Sequence, residues 1–254
     1  VGKMRSIAAF VLLSAAITGG CSSEPVSEHS NTKQQEAKQQ NNSPKTAAAL
    51  AATVTTRGNG TKEVTNMLDT LVVVNKQRNM GADYEPPDLV EPNIPFSIEK
   101  KDPKKLMRKE AAAALEQLFA QAKEEHIDLV GQSAYRSYAT QQAVFKRLTK
   151  KYGGEQEANK VSSHPGQSEH QTGLAIDITS HRMGFTLEEK FGETPEGIWL
   201  KEHAPKYGFI IRYPKGKEEI TGYSYEPWHI RYVGKEAAQE IASKNSTLEE
   251  YLSQ

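Results

Sequence analysis

Ser168-Glu169-His170-Gln171-Thr172-Gly173-Leu174-Ala175-Ile176-Asp177-Ile178-Thr179 is the stretch on which the reading of this chain turns. Gly173 permits a sharp turn, and the apolar run after it, Leu174 to Thr179, predicts a short strand. Asp177 interrupts that run. A carboxylate inside an apolar strand is costly unless it is paired or bound to a metal, so this strand needs a partner as well as a sheet.

The flanking sequence sets the fold class. Downstream, Trp199 to Tyr207 reads as a helix stopped by Gly208, Phe209 to Arg212 and Trp228 to Val233 as strands, and Lys235 to Ala242 as a helix. Upstream, Pro103 opens a long amphipathic helix from Lys104 to about Glu125, with Ala111, Leu115, Leu118, Phe119 and Ala122 at helical spacing. Ile127 to Tyr135 reads as a strand, and Thr140 to Tyr152 as a second helix ended by Gly153 and Gly154. Leu71 to Asn75 is β-branched and strand-like, Tyr84 to Pro95 a Pro-rich surface segment, and Gly184 to Gly197 a solvated rim. Strands and helices do not alternate regularly enough for a doubly wound parallel sheet. The expected class is α+β, a small, mainly antiparallel sheet flanked by helices.

Composition narrows the functional classes. The 32 basic and 32 acidic residues cancel, so no broad field draws the chain to nucleic acid. Cys21 is the single cysteine, which excludes an internal disulfide and any Cys-based zinc site. Residues 1–21 carry Lys3 and Arg5, an apolar run from Ile7 to Ile17, and small residues before Cys21, the layout of a secretory signal. They resemble a lipoprotein signal, which implies a lipidated Cys21 anchoring the protein outside the plasma membrane. Thr18 stands where such signals carry an aliphatic residue, which leaves open cleavage elsewhere or an uncleaved anchor. Residues 22–63, rich in Ser, Gln, Asn, Lys, Glu and Ala, read as a disordered polar tether, and residues 64–254 as one catalytic domain, expected to be monomeric.

The chemistry-bearing residues lie in that domain. Besides His170 and Asp177, Glu226-Pro227-Trp228-His229 supplies a second imidazole and a second carboxylate. A catalytic zinc takes three protein ligands and keeps one position open for water, and His170, Asp177 and His229 satisfy that need without a cysteine. Glu226 is then free to carry the proton, a hydrolase layout. Pro227 prevents a helix there, so extended backbone must aim Glu226 and His229. Taken singly, each of these residues also has an ordinary reading, as a core or surface histidine or a turn-capping Asp. His164 reads as a loop residue, and Trp228 as core or as support under the metal site.

Ser168-x-His170 with Gly173-x-Ala175-x-Asp177, Glu226-Pro227-Trp228-His229 some fifty residues later, and Tyr135-Arg136-Ser137 upstream resemble the VanY-type D-alanyl-D-alanine carboxypeptidases of the LAS metallopeptidase group. The resemblance spans roughly Val64 to Val233. It implies the hedgehog/D-Ala-D-Ala peptidase-like fold and a zinc peptidase cutting D-alanine from the peptidoglycan stem peptide. It implies, too, that His170, Asp177 and His229 bind Zn2+, that Glu226 is the acid/base and that Arg136 faces the scissile carbonyl. Gln141 and Ser168 match substrate-binding positions. Whether the bond cut is D,D or L,D stays open, and an endopeptidase or a non-catalytic wall-binding lipoprotein are the competing readings. The spare carboxylate of Glu226 argues against the last, because a structural zinc site closes its fourth position.

Overall fold

The structure, a computed structural model, describes residues 47–253. The signal, Cys21 and residues 22–46 of the expected tether lie outside the described residues. In chain order the elements are α1 (Ala47–Ala52), β1 (Val54–Thr56), β2 (Lys62–Val64), β3 (Leu89–Val90), β4 (Met107–Arg108), α2 (Lys109–Glu124), β5 (Val130–Ser133), α3 (Tyr138–Tyr152) and α4 (Glu155–Val161). They continue with β6 (Ala175–Thr179), α5 (Pro195–His203), β7 (Phe209–Tyr213), α6 (Glu218–Thr221), β8 (Glu226–Tyr232), α7 (Lys235–Ser243) and α8 (Leu248–Leu252). No helix among the described residues is long and apolar enough to cross a membrane.

Four strands form the central sheet in the order β5-β6-β8-β7, each pair antiparallel. Sandwiched between neighbours, β6 is buried along its whole length. Ile176, Ile178, Ile230 and Tyr232 share one core with Leu115, Leu118 and Phe119 of α2. Period-two alternation then turns Asp177 and His229 away from that core. A smaller cluster joins Ile210 and Val233 to Ala238 and Ile241 of α7 and Leu248 and Tyr251 of α8. The α+β class and antiparallel sheet are as the sequence predicts.

Several boundaries differ, for identifiable reasons. The long helix begins at Lys109 rather than Lys104, because Leu106 is extended at φ −81° and ψ 142°. The carbonyls of Lys104 and Leu106 accept instead from the backbone N–H groups of Ala134 and Tyr135, at 2.6 and 2.9 Å. The strand expected from Ile127 to Tyr135 is accordingly shortened to β5. Leu71 to Asn75 forms no strand in the sheet. Val72, Val73 and Val74 are buried, but the Thr70 and Val72 carbonyls accept from the Arg231 guanidinium at 2.8 Å, so a side chain replaces a neighbouring strand.

Ordered structure also starts before Val64. Residues 47–63, expected in the tether, contain α1, β1 and the first two residues of β2, and Val54 packs on the main core. In the expected rim, Glu188, Glu189 and Glu193 are exposed, whereas Phe191, Thr194 and Glu196 are buried. Thr194 caps α5 by accepting from the Gly197 N–H at 3.1 Å. A Cβ at Gly197 would run into the Phe191 carbonyl, which is backbone and cannot swing aside. Gly197→Ala is therefore expected to destabilise the domain by about 1–3 kcal/mol, read as a lower denaturant midpoint.

Candidate metal centre and active site

Antiparallel register brings the first two groups together. Asp177 on β6 lies directly across from His229 on β8, and their side chains meet with His229 Nδ1 2.9 Å from Asp177 Oδ1. His170 arrives from the turn before β6, a single 3-10 turn over Glu169–Thr172 closed by Gly173 at φ 68°. Its Nε2 stands 3.4 Å from Asp177 Oδ2, so the carboxylate presents one oxygen to each imidazole. All three residues are at most 5% exposed. The imidazoles stand edge to face, with centroids 5.0 Å apart.

This donor set fits a zinc ion. One ligand atom from each residue lies within 4.8 Å of the others, and among the described residues this is the group of His, Cys, Asp or Glu side chains with that property. The mix of two nitrogens and one oxygen, all buried, is what Zn2+ takes in catalytic sites. The His170 tautomer is set by its second nitrogen: Nδ1 is 2.6 Å from the Ala134 carbonyl, an acceptor only, so Nδ1 donates and Nε2 keeps its lone pair for a metal. Burial and the nearby Arg136 lower the pKa of His170, which also favours the neutral ligand form. Burial opposes charge on His229 too, but Asp177 and Glu169 outweigh it and raise its pKa to about 9 in the metal-free chain. Asp177 is held well below the usual carboxylate range: burial alone would raise it, and the two imidazoles overcome that.

Glu226 comes close through an irregularity. Residues three apart on a regular strand point to opposite faces, yet Glu226 Oε2 is 4.0 Å from His229 Nδ1. Between Ile211 and Tyr213 the β7–β8 register shifts, leaving Tyr213 opposite Glu226, and such irregularities re-aim side chains. The Glu226 side chain keeps 22% exposure. Crowding by protein pushes its carboxyl up to about 7, His229 pulling down and Asp177 pushing up.

Arg136 follows β5. Its Nη2 donates to Ser133 Oγ at 3.1 Å and its Nη1 to Gln141 Oε1 at 3.0 Å, while Nε is buried with no hydrogen-bond partner among the described residues. Gln141, expected against the substrate, is 1% exposed and fully engaged. Besides accepting from Arg136, its amide donates to Ser162 Oγ and the Ser163 carbonyl. Ser168 is buried but lines the cleft. That cleft, about 290 Å³, is lined by the metal-site residues, Arg136 and Glu226 and by the apolar Val144, Leu148, Val161 and Leu187. Trp228 lines it as well and packs on the main core, the core role among the two expected of it.

Two features escape a reading of the sequence. Ser163 and Tyr223 share a 2.6 Å hydroxyl contact in the cleft wall, although they are sixty residues apart. Glu169, beside a ligand, is fully buried between Arg212 and Arg231. The one signal for it was an arginine in each of two apolar strands, Phe209-Ile210-Ile211-Arg212 and His229-Ile230-Arg231. Neither arginine can be buried there without an acid.

Comparison with known proteins points the same way. A family model described as VanY, D-alanyl-D-alanine carboxypeptidase, matches residues 104–235. A putative carboxypeptidase, YodJ of Bacillus subtilis (strain 168), is 42% identical over 263 residues, 98% of this chain and 96% of that protein. Among solved structures, the LdcB LD-carboxypeptidase is 50% identical with a TM-score of 0.74, covering 77% of this chain and 91% of that one. VanYB in complex with D-alanine-D-alanine is 32% identical with a TM-score of 0.58, covering 72% of this chain and 97% of that one. With its His, Asp and His donors converging in the matched region, the chain belongs to the VanY family of D-alanyl-D-alanine carboxypeptidases.

Proposed function

We propose that this chain is a zinc carboxypeptidase that hydrolyses the peptide bond before the C-terminal D-alanine of peptidoglycan stem peptides. The observation that carries this reading is the convergence of His170, Asp177 and His229, with Glu226 4.0 Å from the last of them, in the lining of a small cleft. A bound zinc ion would polarise the scissile carbonyl and make a water acidic enough to attack near neutral pH. Glu226 takes the proton of that water and returns it to the leaving amine, which requires a carboxyl able to hold a proton at neutral pH. Arg136, fixed by Ser133 and Gln141, offers its guanidinium to the oxygen on which negative charge develops. Ser168 supplies a hydroxyl to the substrate, whereas Gln141 acts by orienting Arg136. Truncating Arg136 to alanine is expected to lower kcat/KM by about 10²–10³-fold with unchanged zinc content, measured by steady-state kinetics on a stem peptide.

The bond cut is inferred to be the L,D bond of a tetrapeptide stem, a reading supported by the 50% identity to an LD-carboxypeptidase. Incubating the purified chain with tetrapeptide and pentapeptide stems and weighing the products by mass spectrometry separates the cases. Release of D-alanine from the tetrapeptide should be the faster. Faster cleavage of the pentapeptide would reverse the assignment, and internal cuts in cross-linked stems would favour the endopeptidase. A chelator should abolish release and added zinc restore it, while a penicillin should have no effect, because no serine nucleophile takes part. A polymer substrate outside the cell agrees with the signal-like residues 1–21, and on that basis the enzyme is placed outside the plasma membrane with lipidated Cys21 as its anchor. A mass shift on Cys21 tests the anchor.

A further inference from the structure

The carboxylate next to the first zinc ligand has a place that the catalytic reading leaves unused. The Glu169 side chain has no exposed surface, and its Oε1 accepts from Arg212 Nε at 2.8 Å and from Arg231 Nη1 at 2.7 Å. Both guanidiniums are immobile in turn. Arg212 donates its two terminal nitrogens to Glu249, and Arg231 donates to the carbonyls of Tyr232, Thr70 and Val72. Glu169 is therefore clamped through one oxygen. The other, Oε2, is buried with no hydrogen-bond partner among the described residues, and 3.9 Å away is His229 Nε2, also buried and also unpartnered. Two unsatisfied buried atoms of opposite hydrogen-bonding character, 3.9 Å apart beside a metal site, are a costly arrangement unless they pair.

A histidine that ligates through one nitrogen must carry its proton on the other, and an outer acceptor enforces that tautomer. His229 turns Nδ1 toward Asp177, so Nε2 is the nitrogen that must bear the proton. We propose that Glu169 is the positioning residue for His229: its Oε2 accepts the Nε2–H, holding the imidazole in the tautomer that offers Nδ1 to the metal. The remaining gap is about 1 Å beyond a hydrogen bond. A ring rotation of about that size would bring Nε2 within hydrogen-bond reach of Oε2. The inference rests on the zinc site described above.

Glu169→Gln tests it. Glutamine keeps a carbonyl for the two arginines, which orients its NH2 group toward His229 Nε2, where a second donor disfavours the ligating tautomer. Competition with a chromophoric chelator should show about 10–100-fold weaker zinc binding in a folded protein. Glu249→Gln disturbs Arg212, one of the two arginines on Glu169, without touching the oxygen that faces His229, and is expected to lower Tm while leaving zinc affinity within about twofold of wild type. Wild-type zinc affinity in E169Q, or equal weakening in E169Q and E249Q, would overturn the proposal. Should E169Q fail to fold, imidazole NMR of the zinc-loaded wild-type chain decides. The Nε2–H of His229 should be downfield and protected from exchange, and a rapidly exchanging proton there would refute it. His229→Ala, which removes the ligand itself, checks the site separately: tight zinc binding in that variant would remove the site reading, not this one alone.

Discussion

Replacing Glu226 by alanine is expected to leave the zinc content and thermal stability of the protein close to wild type while reducing kcat by about 10²–10⁴-fold. The expectation follows from where the side chain stands. It lines the cleft with 22% of its side chain exposed, and among the described residues the ion pair it makes is the 4.0 Å contact with the ligand His229. Its carboxyl sits near 7 in the metal-free chain because protein crowds it, and a dication held nearby pulls it lower. A carboxyl near neutrality in the metal-free chain suits a group that first accepts and then donates a proton. Glu226→Gln is the sharper variant, since the amide keeps the shape but cannot take the proton. Metal analysis alongside single-turnover release of D-alanine is the deciding measurement. Full turnover in a zinc-loaded E226Q protein would move the proton transfer to another group.

Asp177→Ala is expected to have the larger effect still, on the metal as well as on turnover. Asp177 is the ligand shared between both imidazoles, with Oδ2 3.4 Å from His170 Nε2 and Oδ1 2.9 Å from His229 Nδ1. Its removal leaves two histidines, one short of the set a catalytic zinc requires. Zinc affinity should fall by more than the roughly 10–100-fold that loss of an outer partner causes, and activity should drop to background. The folding consequence has a definite sign in the metal-free protein. Asp177 is held far below its usual pKa, so its stabilising contribution is present above about pH 4, the unfolded value, and disappears as pH falls through the folded one. The variant should thus lose part of the wild-type chain's stability difference between neutral and acid pH, measured by thermal melts in the presence of a chelator. Retained tight zinc binding in D177A would dismiss the proposed ligand set.

The contrast between these two residues also shows how much of the site was readable in advance. Asp177 announced itself, because a charge in Leu174-Ala175-Ile176-Asp177-Ile178 has no cheap explanation other than a partner or a metal. His170 and His229 were readable with it, through motif and order. Glu226 was readable as a candidate, but not its approach: three residues from His229 on a strand, it would point to the opposite face if β8 were regular. Gln141 matches a substrate-binding position by resemblance, and the residues that its amide bonds in the fold, Arg136, Ser162 and Ser163, have no mark in the sequence. Polar side chains on a helix surface give no sign of which neighbour will claim them.

Periodicity and punctuation by themselves determined the helix of Ala111 to Ala122, the strands around Ile176, Ile210 and Ile230, and the α+β class, because these depend on the spacing of apolar residues along the chain. Pairing across the sheet was decided only in three dimensions. The Asp177–His229 register, the shifted β7–β8 pairing that turns Glu226 inward, and the Glu169, Arg212 and Arg231 ion cluster join residues up to 62 positions apart. The same cause explains Val72 to Val74, whose β-branched composition promised a strand but whose neighbouring carbonyls were taken by an arginine from β8. A local pattern records which way a side chain must face, whereas its partner is set by contacts that exist only once the chain has closed on itself.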